Sequence, residues 1–304
     1  ALRKLLARKR FDAVNSHWMI PQGLTAAMNK KWVPFSHLLT IHSADIHTLR
    51  RVPGGSSFCR FVVNKSDHVI TVSNHLHRLL EQTMDETVAV DVLPMGVKAE
   101  QFHVEVDRAA LKQEHGITTK HALLFVGRLV EFKGIPYLLE AMTRIREQSD
   151  VTLIIAGSGP LRPALEAKVK TLGLEDCVRF LGPVGHDRLP SLYAMCDVIV
   201  IPSLVTQETT EGTPVVLLEA MAAGRPVVGS DVGGIGDVIR DCHNGRLIQS
   251  RDPDQLAEGV MSALDPVNWQ TWCTNARETG QQYDWQKIAA RYRELIDDMI
   301  EKRT

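Results

Sequence analysis

Five short runs in the second half of this chain are apolar almost throughout: Ala122–Val126, Thr152–Ala156, Val178–Leu181, Val198–Pro202 and Pro226–Gly229. A strand with one wet face alternates apolar and polar residues, and these runs do not alternate. Rich in Val, Ile and Leu, they are suited to strands covered on both faces, the condition of a parallel sheet between two layers of helices. Helices are expected between them at about Ile135–Glu147, Pro160–Leu172, Asp187–Met195 and Pro214–Ala223, then at Asp254–Leu264 and in the amphipathic, charge-rich stretch Asp284–Glu301. Strand and helix in regular alternation make an α/β, doubly wound domain.

Four weaker runs, Asp12–Ser16, His37–Ile41, His68–Val72 and Val88–Leu93, precede it with the same alternation, and Pro94-Met95-Gly96-Val97 breaks the pattern like a hinge. Two α/β domains are therefore expected, residues 1–95 and 96–284. At 304 residues, 44% hydrophobic and 23% charged, the chain has enough apolar mass for two cores. Its 35 Lys and Arg nearly balance 36 Asp and Glu, so no global field points to nucleic acid. The five Cys lack zinc spacing and Cys-x-x-Cys pairs, which favours a reducing, cytoplasmic setting. No apolar run reaches the ~18 residues of a spanning helix. The basic segment Leu2–Arg10 is either a solvated helix face or a peripheral contact with anionic lipid at the inner face of a membrane.

In a doubly wound sheet, ligands bind where strands end and helices begin. Ala122–Val126 runs into Gly127-Arg128, with Lys133-Gly134 on the same loop; two cations there suit a diphosphate, Arg128 by a two-pronged contact and Lys133 as a point charge. Thr152–Ala156 ends in Gly157-Ser158-Gly159-Pro160, a small turn that lets backbone approach a ligand. Val178–Leu181 ends in Gly182-Pro183-Val184, whose main chain can hold a base edge, and Gly233-Gly234 within Asp231–Asp237 can form an amide nest for anions.

Between the fourth and fifth strong runs lies Glu211-Gly212-Thr213-Pro214-Val-Val-Leu-Leu-Glu219-Ala-Met-Ala-Ala-Gly224. Thr213 is the expected N-cap, Pro214 the first helical residue and Gly224 the stop. The helix is apolar on every face but Glu219, roughly 9 Å along the axis from Thr213 at ~1.5 Å per residue. Burial penalises that carboxylate unless hydrogen-bond donors meet it. A nucleotide sugar fits this layout, with its diphosphate over the helix-start amides, ribose on Glu219 and sugar near Glu211. A buried helix with one salt-bridged Glu, preceded by an exposed loop Glu, is the alternative. In the first domain, His17 and His42 close the first two runs, where each can donate to phosphate or sugar oxygen; no ligand-like cluster suggests metal.

Taken together, Gly127-Arg128…Lys133-Gly134, Gly157-Ser-Gly-Pro160, Phe180-Leu-Gly182, Glu211-Gly-x-Pro…Glu219-Ala-Met-Ala-x-Gly224-x-Pro-Val-Val and Asp231-Val-Gly233-Gly234-Ile resemble the retaining glycosyltransferases of family 4, which have the GT-B fold. The resemblance implies two Rossmann-like doubly wound parallel-sheet domains, with a nucleotide-diphosphate sugar held by the second and an acceptor by the first. By position it implies Arg128 and Lys133 on the diphosphate, Glu219 on ribose, Glu211 on the transferred sugar, main chain near Val184 on the base and His42 near the reacting carbon. It further implies a UDP- or GDP-sugar donor, a carbohydrate or lipid-linked acceptor, no cofactor or metal, retention of configuration, and residues 285–304 packing back on the first domain. Such chains usually carry Glu after Pro where Gly236-Asp237 stands. They also begin with a strand and Gly-Gly loop about 80 residues earlier, so the N-terminal domain is expected to be incomplete.

Three rivals stay open. A glycoside hydrolase pairing Glu211 with Glu219 would leave the two cations unexplained. A nicotinamide dehydrogenase lacks its Gly-x-Gly-x-x-Gly after a first strand. A nucleotide-binding remnant without turnover shares every donor motif.

Overall fold

The computed structural model describes residues 2–206 and 210–303, in two compact units. Unit 1 holds residues 2–95, 210–213 and 286–303; unit 2 holds 96–206 and 214–285. Residues 210–213, expected inside the second domain, group with the first for a visible reason. The Thr213 hydroxyl donates to the Val72 carbonyl at 2.7 Å, and the Ser43 hydroxyl to the Thr210 carbonyl at 2.7 Å.

Unit 1 is built on a parallel sheet of β1 (Ala13–His17), β2 (Ser36–Ile41), β3 (His68–Thr71) and β4 (Asp91–Val92), in that order. All six residues of β2 are buried, as a strand flanked on both edges should be. The expected strand Val88–Leu93 contracts to the two residues that pair with Ile70 and Thr71. The last helix, Trp285–Glu301, enters this unit from residue 286. Its Met299 carbonyl accepts from the Ser36 hydroxyl at 3.3 Å and its Tyr292 hydroxyl lies 3.3 Å from Thr40 Oγ1.

Unit 2 carries six parallel strands: β5 (His121–Val126), β6 (Val151–Ala156), β7 (Val178–Gly182), β8 (Val198–Ile201), β9 (Val227–Ser230) and β10 (Gly245–Ile248). Successive residues serve opposite faces. Leu123, Phe125, Leu153, Ile155, Val198 and Val200 enter one buried cluster, while Ala122, Leu124, Ile154, Ala156, Ile199 and Ile201 enter another. Both faces are covered, which is why these runs show no polar alternation.

Strand order is β10-β9-β8-β5-β6-β7. The chain winds outward from β5 through β6 to β7, then returns to β8 and winds the other way. The loops leaving β5 and β8 therefore diverge to opposite faces and open a crevice at their carboxyl ends, the place where such sheets hold ligands. Several elements of unit 2 were not foreseen, among them helices Ala99–Phe102 and Arg108–Glu114 at its start and two later elements. The strand β10 is only four residues long and carries Arg246 partly exposed, and helix Pro266–Gln282 is rich in Thr, Asn and Gln. That helix is started by the Asp265 carboxylate, which accepts from the amides of Val267 and Asn268. It packs so closely on helix Val215–Ala222 that a Cβ on Gly280 would stand 2.4 Å from the Ala222 nitrogen.

Candidate functional site

The strand-end loops of unit 2 are zipped to one another by main chain. The Gly127 amide donates to the Ala156 carbonyl at 3.0 Å, the Gly157 amide to the Gly182 carbonyl at 2.8 Å, and the Leu129 amide to the Ser158 carbonyl at 2.9 Å. On the other side of the crevice, the Leu204 amide donates to the Phe132 carbonyl at 2.7 Å, joining the loop after β8 to the loop after β5. Gly157 and Gly134 make this possible. At φ +146°, a Cβ on Gly157 would lie 1.8 Å from the Gly127 oxygen; at φ +67°, one on Gly134 would lie 1.8 Å from the Pro202 oxygen. No L side chain fits either gap.

Arg128 is exposed on this loop and makes no ion pair among the described residues. Lys133 is half-buried, and its Cε lies 3.7 Å from where a Cβ on Gly127 would stand, so its stem runs back along the start of the same loop. Its ammonium is 5.2 Å from the Phe132 ring centre. The fold thus brings Gly127, Arg128, Lys133 and Gly157 to one edge.

Helix Val215–Ala222 starts on the return side of the crevice. Pro214 is its N-cap rather than its first residue, with φ −64° and ψ 127°, and no side chain caps the helix. Thr213, the expected cap, uses its hydroxyl on Val72 instead. A helix start without a side-chain cap leaves its first amides available to an anion. Four residues in, Glu219 is buried, and its Oε2 accepts from the Tyr193 hydroxyl at 2.9 Å. Among the described residues, neither a salt bridge nor a helix amide satisfies it. Burial raises the Glu219 pKa above its ordinary value, and the Tyr193 hydrogen bond acts against that rise. Tyr193, fully buried on helix Leu189–Met195, was not identified from sequence; the available signal was a tyrosine one helix before an otherwise unpartnered buried carboxylate.

The remaining residues singled out from sequence follow the ends of β9 and β7. Gly233 adopts φ +59°, and among the described residues the amides of Gly233 and Gly234 donate to no backbone carbonyl. Val184 lines a cavity of about 590 Å³ with Leu111, His115, Asp187, Arg188 and Met195, a cavity that includes none of Arg128, Lys133 or Glu219.

Unit 1 gathers a separate group at its own strand ends. His17 at the end of β1 and His42 just after β2 meet through Nδ1 and Nε2 at 3.0 Å. Burial, with His17 adding to it, lowers the His42 pKa to about 4, so the ring is neutral at pH 7. Glu211 is buried rather than exposed in a loop, and Gly212 lies against β3's exit, where a Cβ would be 3.3 Å from Val72. Asp45, also missed from sequence, is buried behind His42 and accepts from the Met19 amide at 2.8 Å. Glu211 and His42 thus belong to unit 1, and Arg128, Lys133 and Glu219 to unit 2. Among the described residues no group of three His, Cys, Asp or Glu is placed to hold a metal ion, and no helix is long and apolar enough to cross a membrane.

Comparison with known proteins agrees with this anatomy. Residues 120–265 match the family described as glycosyl transferases group 1, and residues 1–101 match glycosyltransferase family 4. The chain is 32% identical over 298 residues to the uncharacterized glycosyltransferase MJ1607 of Methanocaldococcus jannaschii, covering 94% of this chain and 75% of that protein. It is 28% identical over 308 residues to the N-acetyl-alpha-D-glucosaminyl L-malate synthase of Bacillus anthracis, covering 98% and 78%. Among solved structures, Anabaena HepE in complex with UDP superposes with a TM-score of 0.82 at 21% identity over 98% of this chain and 81% of that one, a likeness of fold. From its strand-end loops, its two-unit architecture and these matches, the chain belongs to the group 1, family 4 glycosyltransferases, with the GT-B fold.

Proposed function

We propose that this protein moves a sugar from a UDP- or GDP-sugar to an acceptor hydroxyl with retention of anomeric configuration, in polysaccharide or glycolipid synthesis. One observation carries the reading: the β5 and β8 crevice has two cations on one wall, and the helix leaving the other wall has no side-chain cap and a buried carboxylate one turn in. Arg128 and Lys133 take the diphosphate, whose charge grows as the bond from the sugar C1 to the phosphate oxygen breaks. The amides at Val215 and Val216 add to that field, so the scheme needs no divalent ion. The acceptor oxygen forms the new bond to C1, and its proton leaves with the diphosphate.

Glu219 accepts from ribose through the oxygen that Tyr193 leaves open. Glu211 is assigned to the transferred sugar, and neutral His42 to a hydrogen bond near the reacting carbon, its ring oriented by His17. The choice of UDP or GDP follows relatives: HepE structures contain UDP and UDP-glucose, and a relative 28% identical, from Mycobacterium tuberculosis, is a GDP-mannose-dependent mannosyltransferase. The five free cysteines fit a cytoplasmic setting.

The test is a panel of radiolabelled UDP- and GDP-sugars, with and without acceptor glycosides, product configuration being read by NMR. Nucleotide-dependent transfer giving the donor's anomer supports the reading. Glycoside cleavage without nucleotide points to a hydrolase and overturns it, as does nucleotide binding with no turnover on any donor.

A further inference from the structure

The chain is almost neutral overall, yet its charge is not evenly spread. Residues 1–66 contain eleven Lys and Arg but only two acidic side chains, Asp12 and Asp45. Asp45 is buried, so it does not offset the surface field. The same 66 residues hold eight of the eleven large hydrophobic side chains exposed among the described residues. Cationic and apolar surface therefore share one region of unit 1.

The two properties meet at one place. Helix Leu24–Asn29, the turn after it and helix Gly55–Asn64 enclose a shallow hollow of about 670 Å³ lined by Met28, Lys31, Trp32, Phe61 and Lys65. Trp32 is 51% exposed, Met28 50% and Phe61 42%, far more than a core would allow. Arg3, from helix Leu2–Arg8, stands 5.1 Å from the centre of the Trp32 ring and Lys31 stands 5.7 Å from it. The acid at the rim, Asp67, is already engaged by Lys30 at 2.6 Å and by the His37 amide at 2.7 Å. Arg3, Lys31 and Lys65 make no ion pair among the described residues.

An indole ringed by cations, beside a thioether and a phenyl group, matches the boundary between lipid headgroups and acyl chains: the ring sits at the interface, apolar tips enter the hydrocarbon, and ammonium and guanidinium groups meet phosphate. A purely polyanionic partner such as a nucleic acid would use the cations but leave Met28 and Phe61 in water. We propose that this Trp32-centred surface docks unit 1 on an anionic lipid bilayer. The docking does not depend on the transferase reading, since none of its residues belongs to the donor or acceptor groups assigned above.

The experiment is co-flotation of the full chain with vesicles of phosphatidylcholine alone and of phosphatidylcholine with phosphatidylglycerol, at low and high salt. Binding is expected only to the anionic vesicles and is weakened by salt. Each basic residue near such a surface contributes a factor of about five, so R3Q/K31Q/K65Q should bind on the order of 100-fold more weakly. Trp32→Ala should also reduce binding, while Trp32→Phe retains most of it; circular dichroism and nucleotide-sugar hydrolysis in solution should not change in any of these variants. Equal binding to neutral and anionic vesicles, undiminished binding by the triple variant, or a Trp32→Ala variant that binds as the parent does overturns the proposal. So does complete displacement from vesicles by low concentrations of heparin with no effect of Trp32→Ala, which would mark a polyanion site instead.

Discussion

Replacing Tyr193 by Phe removes one oxygen and leaves the ring in place, so it isolates what holds Glu219. The lost hydrogen bond, 2.9 Å long and buried at both ends, joins a phenol to a carboxylate. Bonds of that kind contribute about 1.5–3 kcal/mol, and phenylalanine brings no donor in place of the hydroxyl. The effect must depend on pH. Burial already raises the Glu219 pKa, so the folded state holds the proton more tightly than the unfolded chain, and this group's contribution to stability falls as pH rises through the shifted pKa. Without Tyr193 the pKa rises further, and the variant's deficit widens with it. Urea unfolding should show a deficit of about 2 kcal/mol at neutral pH and much less at about pH 4, where Glu219 is protonated. In a double-mutant cycle with Glu219→Gln, whose amide oxygen still accepts from Tyr193 but carries no charge, the neutral-pH deficit should shrink by about 1 kcal/mol. Donor affinity should fall as well, because the carboxylate loses its fixed orientation. An equal deficit at both pH values, or no coupling to Glu219→Gln, would show that Tyr193 acts by packing alone and would refute this account.

Gly157→Ala should destabilise unit 2 by on the order of 2–4 kcal/mol, since its Cβ would meet the Gly127 oxygen at 1.8 Å, whereas Gly116→Ala, at φ +65° with open space around it, should lose only about 1 kcal/mol; equal losses in thermal unfolding would contradict the close-approach argument. Burial raises the Asp45 pKa from 3.8 to about 6, so native Asp45 keeps its proton where the unfolded chain has released it, and stability should decline by about 3 kcal/mol between those pH values. Asp45→Asn should flatten that decline, and a slope unchanged by the substitution would show that other groups set it.

The sheet of unit 2 was legible because its strands are buried on both faces and so are written as unbroken apolar runs. β10 and helix Pro266–Gln282 were not, because each offers only part of its surface to the core: β10 is an edge strand with Arg246 half-exposed, and the helix buries little more than Trp272, Ala276, Thr279 and Gly280. Strand-end position singled out Arg128, Lys133 and Glu219 as candidates, since glycine turns and an apolar helix with one acid are local patterns. What satisfies Glu219 was hidden, because Tyr193 lies 26 residues away and meets it only through the packing of two helices. Thr213 looked like a cap for the same reason: sequence shows the helix it precedes, not the Val72 carbonyl that takes its hydroxyl. The grouping of residues 210–213 with unit 1 is likewise written in long-range contacts, with Ser43 and Val72, that no local pattern encodes.

Binding and turnover by Arg128→Ala and Lys133→Ala test the central claim most directly, because both residues are exposed or half-buried loop side chains whose replacement should leave the protein folded. Calorimetric titration with UDP and GDP, followed by a turnover assay on the preferred nucleotide sugar, should show affinity for that nucleotide reduced about tenfold or more in each variant, the loss of a charge-assisted contact, with transfer abolished in Lys133→Ala. If both variants bind and turn over as the parent protein does, the β5–β8 crevice is not where the donor diphosphate sits.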